Sequence, residues 1–158
     1  MSRAIKDDLT MVFLDSVSDP HNVGSIMRTL ACLGKFAMVI PEHDACDINE
    51  TVLHVASGGE NFVLVSKVTN LSTALIAAKK QGFWAVGSMI DGGEDVTETD
   101  FAFPLCLILG SEGKGIRPGL QKQLEVRVRI QMSGAPLSFN VTTACAILCH
   151  EIERQRSK

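Results

Sequence analysis

Short and almost uninterrupted apolar runs recur along the chain. Strands that are buried on both faces of a parallel sheet have this continuous character, whereas half-exposed strands alternate between apolar and polar residues. Helix-like stretches lie between the runs, so the pattern predicts an α/β fold with a parallel sheet. The predicted strands are residues 11–15, 36–40, 62–65, 83–88, 105–109 and 126–130.

Three helices are predicted from capping and charge preferences. Asn22–Leu33 begins with a possible N-cap and is followed by Gly34, a residue that favours helix ends. Ser72–Gln81 begins with Ser and Thr and carries lysines near its end, and Phe139–Arg156 reads as a long terminal helix. Ligands of α/β folds bind beyond the carboxyl ends of the strands, so we expect the chemistry where the apolar runs end.

Composition and charge narrow the class of protein. The 158 residues, 46% hydrophobic and 21% charged, fit one ordinary globular domain over residues 1–158. No apolar run has the length of a membrane span, and no signal peptide opens the chain. Five cysteines, an odd number without the paired spacing of a metal site, indicate reduced thiols and a cytoplasmic protein.

A net charge of −3 argues against a protein that binds nucleic acid by bulk charge alone. A local basic patch near the C-terminus stays possible. Its candidate members are Arg127, Arg129, Arg154, Arg156 and Lys158.

The first unusual strand end is DPHNVGSIMRT, Asp19–Thr29. Pro20 stiffens the approach to the helix, and Gly24 allows a close backbone contact. Arg28 lies in the first turns, near the positive end of the helix dipole, where it could meet a phosphate. A capped helix with a solvated arginine is the plain structural alternative.

The second unusual strand end is LGSEGKGI, Leu109–Ile116, which has three glycines within six positions. It is not a P-loop, because Lys114 is followed by Gly115 instead of Ser or Thr, and the dinucleotide fingerprint is not met either. The stretch predicts a tight loop whose backbone lies against a flat ligand, with the carboxylate of Glu112 at its tip. A glycine-rich turn with an exposed glutamate is the alternative.

The third strand end is IQMSGAPLSFNVTTA, Ile130–Ala144. Residues 134–136 predict a bend, after which Ser138 and Asn140 flank Phe139 where a helix begins. Ser and Asn are ordinary capping residues, so capping alone would explain them.

Two further clusters are weaker candidates. Cys145 and Cys149 share a helix face, but His150 points about 100° away from Cys149 and no fourth ligand is evident, which disfavours a metal site. The acidic run Asp91–Asp100 is predicted to be a solvated loop.

Taken together, DPHNVGSIMRT, LILGSEGKGI and IQMSGAPLSFNV resemble, in order and spacing, the three motifs of the SpoU (TrmH-like) branch of the SPOUT RNA methyltransferases. The resemblance runs from about Phe13 to Arg156. VTNL (Val68–Leu71) and the ending HEIERQR also resemble the bacterial members that methylate a guanosine of 23S ribosomal RNA at its ribose 2′-oxygen. The resemblance implies a deep trefoil knot near the C-terminus, a homodimer, S-adenosylmethionine as cofactor, no metal, and RNA as substrate.

The resemblance also implies roles for single residues. The polar catalytic positions of the family match Asn22, Arg28, Glu112, Ser138 and Asn140. The positions that contact the cofactor match Gly110, Ile130, Met132 and Phe139. The family usually has Ser-Leu-Asn where this chain has Ser-Phe-Asn, so Phe139 would reshape a side-chain contact to adenine.

The resemblance implies that Arg28 is the base that removes the proton, and chemistry argues against this role. A guanidinium is essentially never deprotonated, so we predict that Arg28 clamps a phosphate of the target nucleotide and is not the base. Asn22 and Glu112 are predicted to hold Arg28 or the ribose. Ser138 and Asn140 are predicted to cap the last helix and to orient the substrate.

Three other functions stay open from the sequence. They are methylation of transfer RNA, a non-catalytic RNA-binding module with the same fold, and a binder of another adenosine cofactor without an RNA role. Relatives of the ribosomal enzyme usually carry an N-terminal RNA-binding domain. Only 12 residues precede Phe13, so we expect this domain to be absent from the chain.

Overall fold

The sheet follows the predicted parallel pattern. The structure is a computed structural model that describes residues 7–43, 45–134 and 137–157. Its strands are β1 (Thr10–Asp15), β2 (Phe36–Pro41), β3 (Leu64–Val68), β4 (Trp84–Ser88), β5 (Glu94–Asp95), β6 (Leu105–Gly110) and β7 (Val126–Arg129). They form one sheet in the order β3-β2-β1-β6-β4-β7-β5, and every neighbouring pair is parallel. The α/β class with a parallel sheet is confirmed, and the knot stays a prediction.

The described residues also form five α-helices and one short 3₁₀ turn. They are α1 (Pro20–Leu33), α2 (Glu50–Ala56), the 3₁₀ turn Gly59–Asn61, α3 (Leu71–Lys79), α4 (Pro118–Gln121) and α5 (Val141–Arg156). Within the described ranges, no helix combines the length and the apolar character needed to cross a bilayer.

Helices cover both faces of the middle of the sheet, which explains why β1 is apolar from Met11 to Leu14. In β1, Val12 and Leu14 belong to a core that α1 and α5 share, whereas Met11 and Phe13 belong to a second core under α3 and α4. All four side chains are at most 3% exposed. Successive side chains of a strand point to opposite faces, so apolar residues follow one another without a break in the middle of a strand that is covered on both faces.

The helices begin at other residues than predicted. Asp19, not Asn22, caps α1, and its Oδ1 accepts a hydrogen bond from the His21 N–H at 2.9 Å. Asn70 caps α3, so this helix starts at Leu71 and not at Ser72. Asn140 caps α5, so Phe139 lies outside that helix. Pro20 fits the first helical position because it has no N–H to satisfy there. The correction at α1 places Asn22 inside the first turn, where its side chain can make a tertiary contact.

Two predictions about strands and loops are also wrong. The run 62–65 does not begin a strand, because β3 starts at Leu64 and Phe62 is 80% exposed after the 3₁₀ turn. The acidic run Asp91–Asp100 is not entirely a solvated loop, because β5 pairs with β7 and Val96 is buried. Hydrogen bonds from the Thr97 hydroxyl and N–H lower the pKa of Asp95 and fix the turn after β5.

Two arginines of the suggested C-terminal basic patch, Arg154 and Arg156, make contacts within the fold. The Arg156 guanidinium lies over the rings of Phe36 and Phe103, at 5.6 and 5.3 Å from their centroids. Arg154 pairs with Glu151 at 2.6 Å. The cation–π contacts of Arg156 join the end of α5 to these rings, whereas the Arg154–Glu151 pair lies within α5. Lys158 lies outside the described residues.

Candidate active site

The sheet opens at the carboxyl ends of β4 and β6. Their pairing runs from Trp84 beside Leu105 to Gly87 beside Ile108. Beyond that point β6 continues along β1 to Gly110, whereas Ser88 of β4 pairs with β7. A cleft lies where the two strands part. In open α/β sheets this is the usual location of a ligand.

The cleft contains every residue that the sequence predicts to contact a cofactor. It has a cavity volume of about 70 Å³. A nucleoside-sized ligand would therefore have to move the loops at the mouth apart. The lining residues include Gly110, Ile130, Met132, Ser138 and Phe139.

The walls of the cleft suit a flat and largely apolar ligand. Ile90, Met132 and Phe139 are 48%, 37% and 43% exposed around it, and such an exposed apolar group often marks a binding site. Met89 and Ile90 were missed by the sequence analysis, although they directly follow the apolar run 83–88. The end of that run was the signal that could have found them.

The glycine-rich loop after β6 closes on itself. The Gly115 N–H donates to the Ser111 carbonyl at 2.9 Å, and these two residues form an isolated antiparallel bridge. A Cβ on Gly110 would lie 2.1 Å from the carbonyl carbon of Gly115. The missing side chain of Gly110 therefore makes room for the loop's own backbone, which is a reason that the sequence analysis did not foresee.

Three of the predicted catalytic side chains meet at the tip of this loop. Asn140 Nδ2 donates to Glu112 Oε1 at 2.5 Å and to Asn22 Oδ1 at 3.3 Å. Asn22 Nδ2 also donates to Glu112 Oε1, at 3.3 Å. Asn140 is oriented by its capping role, because its Oδ1 accepts from the N–H and hydroxyl of Thr142. We call Asn22, Glu112 and Asn140 the polar cluster.

The polar cluster separates two clefts of different character. Ser111, Glu112 and Val141 line the apolar cleft described above, and they also line a second cleft. The rest of the second cleft is largely polar and comes from the end of β1 and the start of α1: Ser16, Val17, Ser18, Asp19 and Asn22. Both hydrogen bonds that the Glu112 carboxylate accepts go to Oε1. Among the described residues, none donates to Oε2, which can therefore accept a hydrogen bond from a ligand's hydroxyl.

Arg28 does not join the polar cluster. Six residues beyond Asn22 correspond to about 9 Å along α1 and about 240° around it, which directs the two side chains to different faces. Arg28 Nη1 donates to Ser57 Oγ at 3.4 Å. The arginine lines a separate open cleft with the exposed Phe62 and the backbone of Gly58 and Gly59.

The remaining candidates have simple structural surroundings. Ser138 lines the apolar cleft and does not cap α5, so only half of the predicted capping by Ser138 and Asn140 is confirmed. Cys145 and Cys149 are buried with their sulfurs 3.8 Å apart, and burial raises the pKa of Cys149 well above its usual value. In the part of the chain that the structure describes, no group of three or more His, Cys, Asp or Glu could hold a metal. Residues 135 and 136 of the predicted bend lie outside that part.

Known proteins are similar to this chain over most of its length. The chain matches the SpoU rRNA Methylase family over residues 9–150. It belongs to that family. A SpoU relative from Ralstonia nicotianae, named 23S rRNA (guanosine-2′-O-)-methyltransferase RlmB, is 35% identical over 147 residues. The match covers 93% of this chain and 59% of the relative.

Solved structures of the SpoU family have the same fold. The SpoU methyltransferase AviRb from Streptomyces viridochromogenes, solved in complex with AdoMet, has a TM-score of 0.86 and 26% identity, covering 95% of this chain and 61% of that one. The TrmH/SpoU tRNA modifying enzyme of A. aeolicus has a TM-score of 0.83 and 25% identity, covering 99% and 83%. The chain thus spans less than two thirds of the length of the curated relatives that it matches, such as the 59% of RlmB.

Proposed function

We propose that this chain is a catalytic domain that transfers a methyl group from S-adenosylmethionine to a ribose 2′-hydroxyl of RNA. The observation that carries the proposal is the position of the polar cluster between an apolar and a polar cleft. A methyl donor on one side and a ribose on the other would meet at Glu112. The family membership and the AdoMet-bound neighbour AviRb support the same reaction.

The apolar lining of the cleft is suited to the adenosine of the cofactor. Exposed Ile90, Met132 and Phe139 would be covered by an adenosine group, and the backbone of Gly110 would lie beside it. S-adenosylmethionine supplies an activated methyl group on a sulfonium sulfur. The protein's main contribution is therefore to place a nucleophile in line with that methyl, and positioning of this kind can provide much of the rate.

The polar cluster would position the ribose. Glu112 Oε2 is free to accept a hydrogen bond from the 2′-hydroxyl, which would turn a lone pair of that oxygen toward the apolar cleft. Asn22 and Asn140 hold the carboxylate in place through Oε1. Asn22 and Glu112 were predicted to hold either Arg28 or the ribose. This geometry supports the ribose, since Arg28 lies on another face of α1.

Arg28 would bind the RNA backbone beside the reacting nucleotide. Its exposed guanidinium in the cleft with Ser57 and Phe62 can form charge-assisted bonds to a phosphate, and the phenyl ring offers a surface for a base. An Arg28 in this position is a clamp on the substrate, which agrees with the chemical argument against its being the base.

The proposed substrate is a guanosine of 23S ribosomal RNA, because the relatives from Ralstonia nicotianae and Pseudomonas aeruginosa carry that name. Transfer RNA is the second candidate, which the tRNA modifying neighbour favours because this chain covers 83% of it. A homodimer, the trefoil knot and a cytoplasmic location belong to the same proposal through the family resemblance.

The test is a methylation assay with labelled S-adenosylmethionine and separated ribosomal and transfer RNA from a source that lacks the modification. After digestion to nucleosides, we expect labelled 2′-O-methylguanosine from 23S RNA only. Label in transfer RNA would keep the reaction and replace the substrate. Cofactor binding without label in any RNA would contradict the proposed activity of this chain by itself.

A further inference from the structure

A buried carboxylate outside the polar cluster holds the base of the glycine-rich loop. Asp15, the last residue of β1, is fully buried. Its Oδ2 accepts from the Arg117 backbone N–H at 2.7 Å, and its Oδ1 accepts from Arg117 Nε at 2.6 Å. Two charge-assisted bonds between residues 102 positions apart thus join β1 to the chain that leaves the loop.

The loop between Gly110 and Arg117 has both of its ends fixed. On the entering side, Gly110 continues β6 and lies beside Asp15 in the sheet. On the leaving side, Arg117 is bonded to that same Asp15. The Ser111–Gly115 bridge then closes the loop between these two points. Asp15 therefore adjoins both ends of the segment carrying Glu112: its backbone lies beside Gly110 in the sheet, and its side chain binds Arg117.

An exposed carboxylate needs such support. Glu112 is exposed and its bonds to Asn22 and Asn140 are side-chain contacts at the surface, which by themselves contribute little free energy. A small displacement of a positioning group can cost a large factor in rate. A rigid loop base would keep the carboxylate near both asparagines while the clefts fill and empty.

We propose that the Asp15–Arg117 pair is a positioning device that acts on methyl transfer through Glu112, an inference that rests on the proposed function. Asp15 lines neither the apolar nor the polar cleft, so it is not a catalytic residue. The pair instead determines where the tip of the loop lies. Because half of the Arg117 side chain is exposed, a direct contact of Arg117 with RNA is the competing explanation for any effect of its substitution.

The first experiment is a double-mutant cycle of kcat with Asp15→Asn and Glu112→Gln. If Asp15 acts through Glu112, Asp15→Asn lowers kcat about tenfold in the wild-type background and causes no further loss in the Glu112→Gln background. Additive losses would overturn the proposal. The matched control is Glu125→Gln, because Glu125 also pairs with a cation, Lys79, and accepts a backbone N–H, that of Ala85, away from the site. Its effect should be small and additive.

The second experiment does not need activity. Hydrogen exchange of the Ser111–Gly115 amides should accelerate about tenfold or more in Asp15→Asn, and should not change in Glu125→Gln. If Asp15→Asn does not fold, Arg117→Lys serves, because it keeps the charge and the backbone bond but loses the planar Nε contact. Unchanged exchange would overturn the proposal even if the methyltransferase assay succeeds. A faster exchange with no methylation of any RNA would support the device while the proposed function fails.

The kinetic constants distinguish a positioning role of the Asp15–Arg117 pair from a direct contact of Arg117 with RNA. A positioning role lowers kcat with the KM for RNA nearly unchanged in both Asp15→Asn and Arg117→Lys. A raised KM for RNA in the Arg117 variant alone would identify Arg117 as an RNA contact and would contradict the positioning role.

Discussion

Two loops border the apolar cleft, and they are built in different ways. The loop after β6 is short, closes through its own backbone bridge and is bonded at its base to buried Asp15. The described residues of the segment after β7, from Gln131 to Gly134 and from Leu137 to Asn140, are all exposed. The first loop places a carboxylate, whereas the second presents Met132 and Phe139 to a ligand.

The difference follows from what each loop has to do. A group that orients a reacting hydroxyl must be held within a fraction of an ångström, so it is found on a fixed backbone. Apolar walls that cover a cofactor must let it enter, and a narrow cleft with exposed walls requires that they move apart. Asn140 connects the two loops, because it ends the second segment and donates to Glu112 of the first.

The largest effect is expected where the two loops meet. Asn140→Ala should lower kcat by about 100-fold, because Glu112 loses its shortest bond, and should lower the free energy of unfolding by about 1 kcal/mol through loss of the α5 cap. Steady-state kinetics and urea unfolding measure both. Asn70→Ala is the matched control, because Asn70 caps α3 in the same way by accepting from the Thr73 N–H. Equal losses of activity in both variants would show that Asn140 acts only as a cap.

The closed geometry of the first loop can be broken at Gly110. Gly110→Ala should lower the free energy of unfolding by about 1–3 kcal/mol, since the new Cβ meets the backbone of Gly115 and neither strand nor loop can move aside easily. The control is Gly119→Ala, where a Cβ meets nothing within 4 Å. Denaturant unfolding of the two variants decides this, and a Gly110→Ala protein as stable as the control would mean that the loop is not tightly closed.

We expect RNA binding to depend on Arg28, which lies outside both loops. Arg28→Ala should lower kcat/KM for RNA by about tenfold and reduce the dependence of log Kd on log salt by about one unit, because one phosphate contact is lost. Arg28→Lys should retain most of the salt dependence. Titration of RNA at several salt concentrations measures this, with the exposed Lys122→Ala variant as a control. An Arg28→Ala protein that methylates RNA at the wild-type rate would remove Arg28 from the site.

The smallest effect is expected in the second loop. Phe139→Leu should change the Kd for S-adenosylmethionine less than about threefold, because apolar contact is retained, whereas Phe139→Ala should weaken binding about tenfold. Calorimetric titration of the cofactor measures both, and Phe62→Leu is a control in another cleft. If Phe139→Ala binds the cofactor as tightly as the wild-type protein does, the second loop is not part of the cofactor site.

The sheet was predictable because its strands are covered on both faces. Continuous apolar runs located six of the seven strands, and the exception, β5, has only two residues, both acidic. The pairing of β5 with β7 depends on where the rest of the chain places β7 at the edge of the sheet. The local sequence of β5 does not contain this information. The starts of α1 and α3 were predicted two residues and one residue late, and the start of α5 two residues early, because Asp19, Asn70 and Asn140 compete with neighbouring Ser and Asn residues that have similar capping ability.

The candidate site was predictable in its membership and less so in its geometry. The resemblance to the SpoU family identified Asn22, Glu112 and Asn140, but only the fold shows that they bond one another while Arg28 faces a different cleft. Asp15 was not recognised, because a lone acidic residue at a strand end has no sequence signal for a partner 102 positions away.

The central claim is that a methyl donor lies between the two loops with its reactive group beside the polar cluster. A crystal structure of the protein with bound S-adenosylmethionine tests it most directly. We expect adenosine between Gly110 and the segment Ile130–Phe139, with the sulfonium methyl directed past Glu112 toward the polar cleft. Cofactor bound at another surface, or with its methyl turned away from Glu112, would contradict the account.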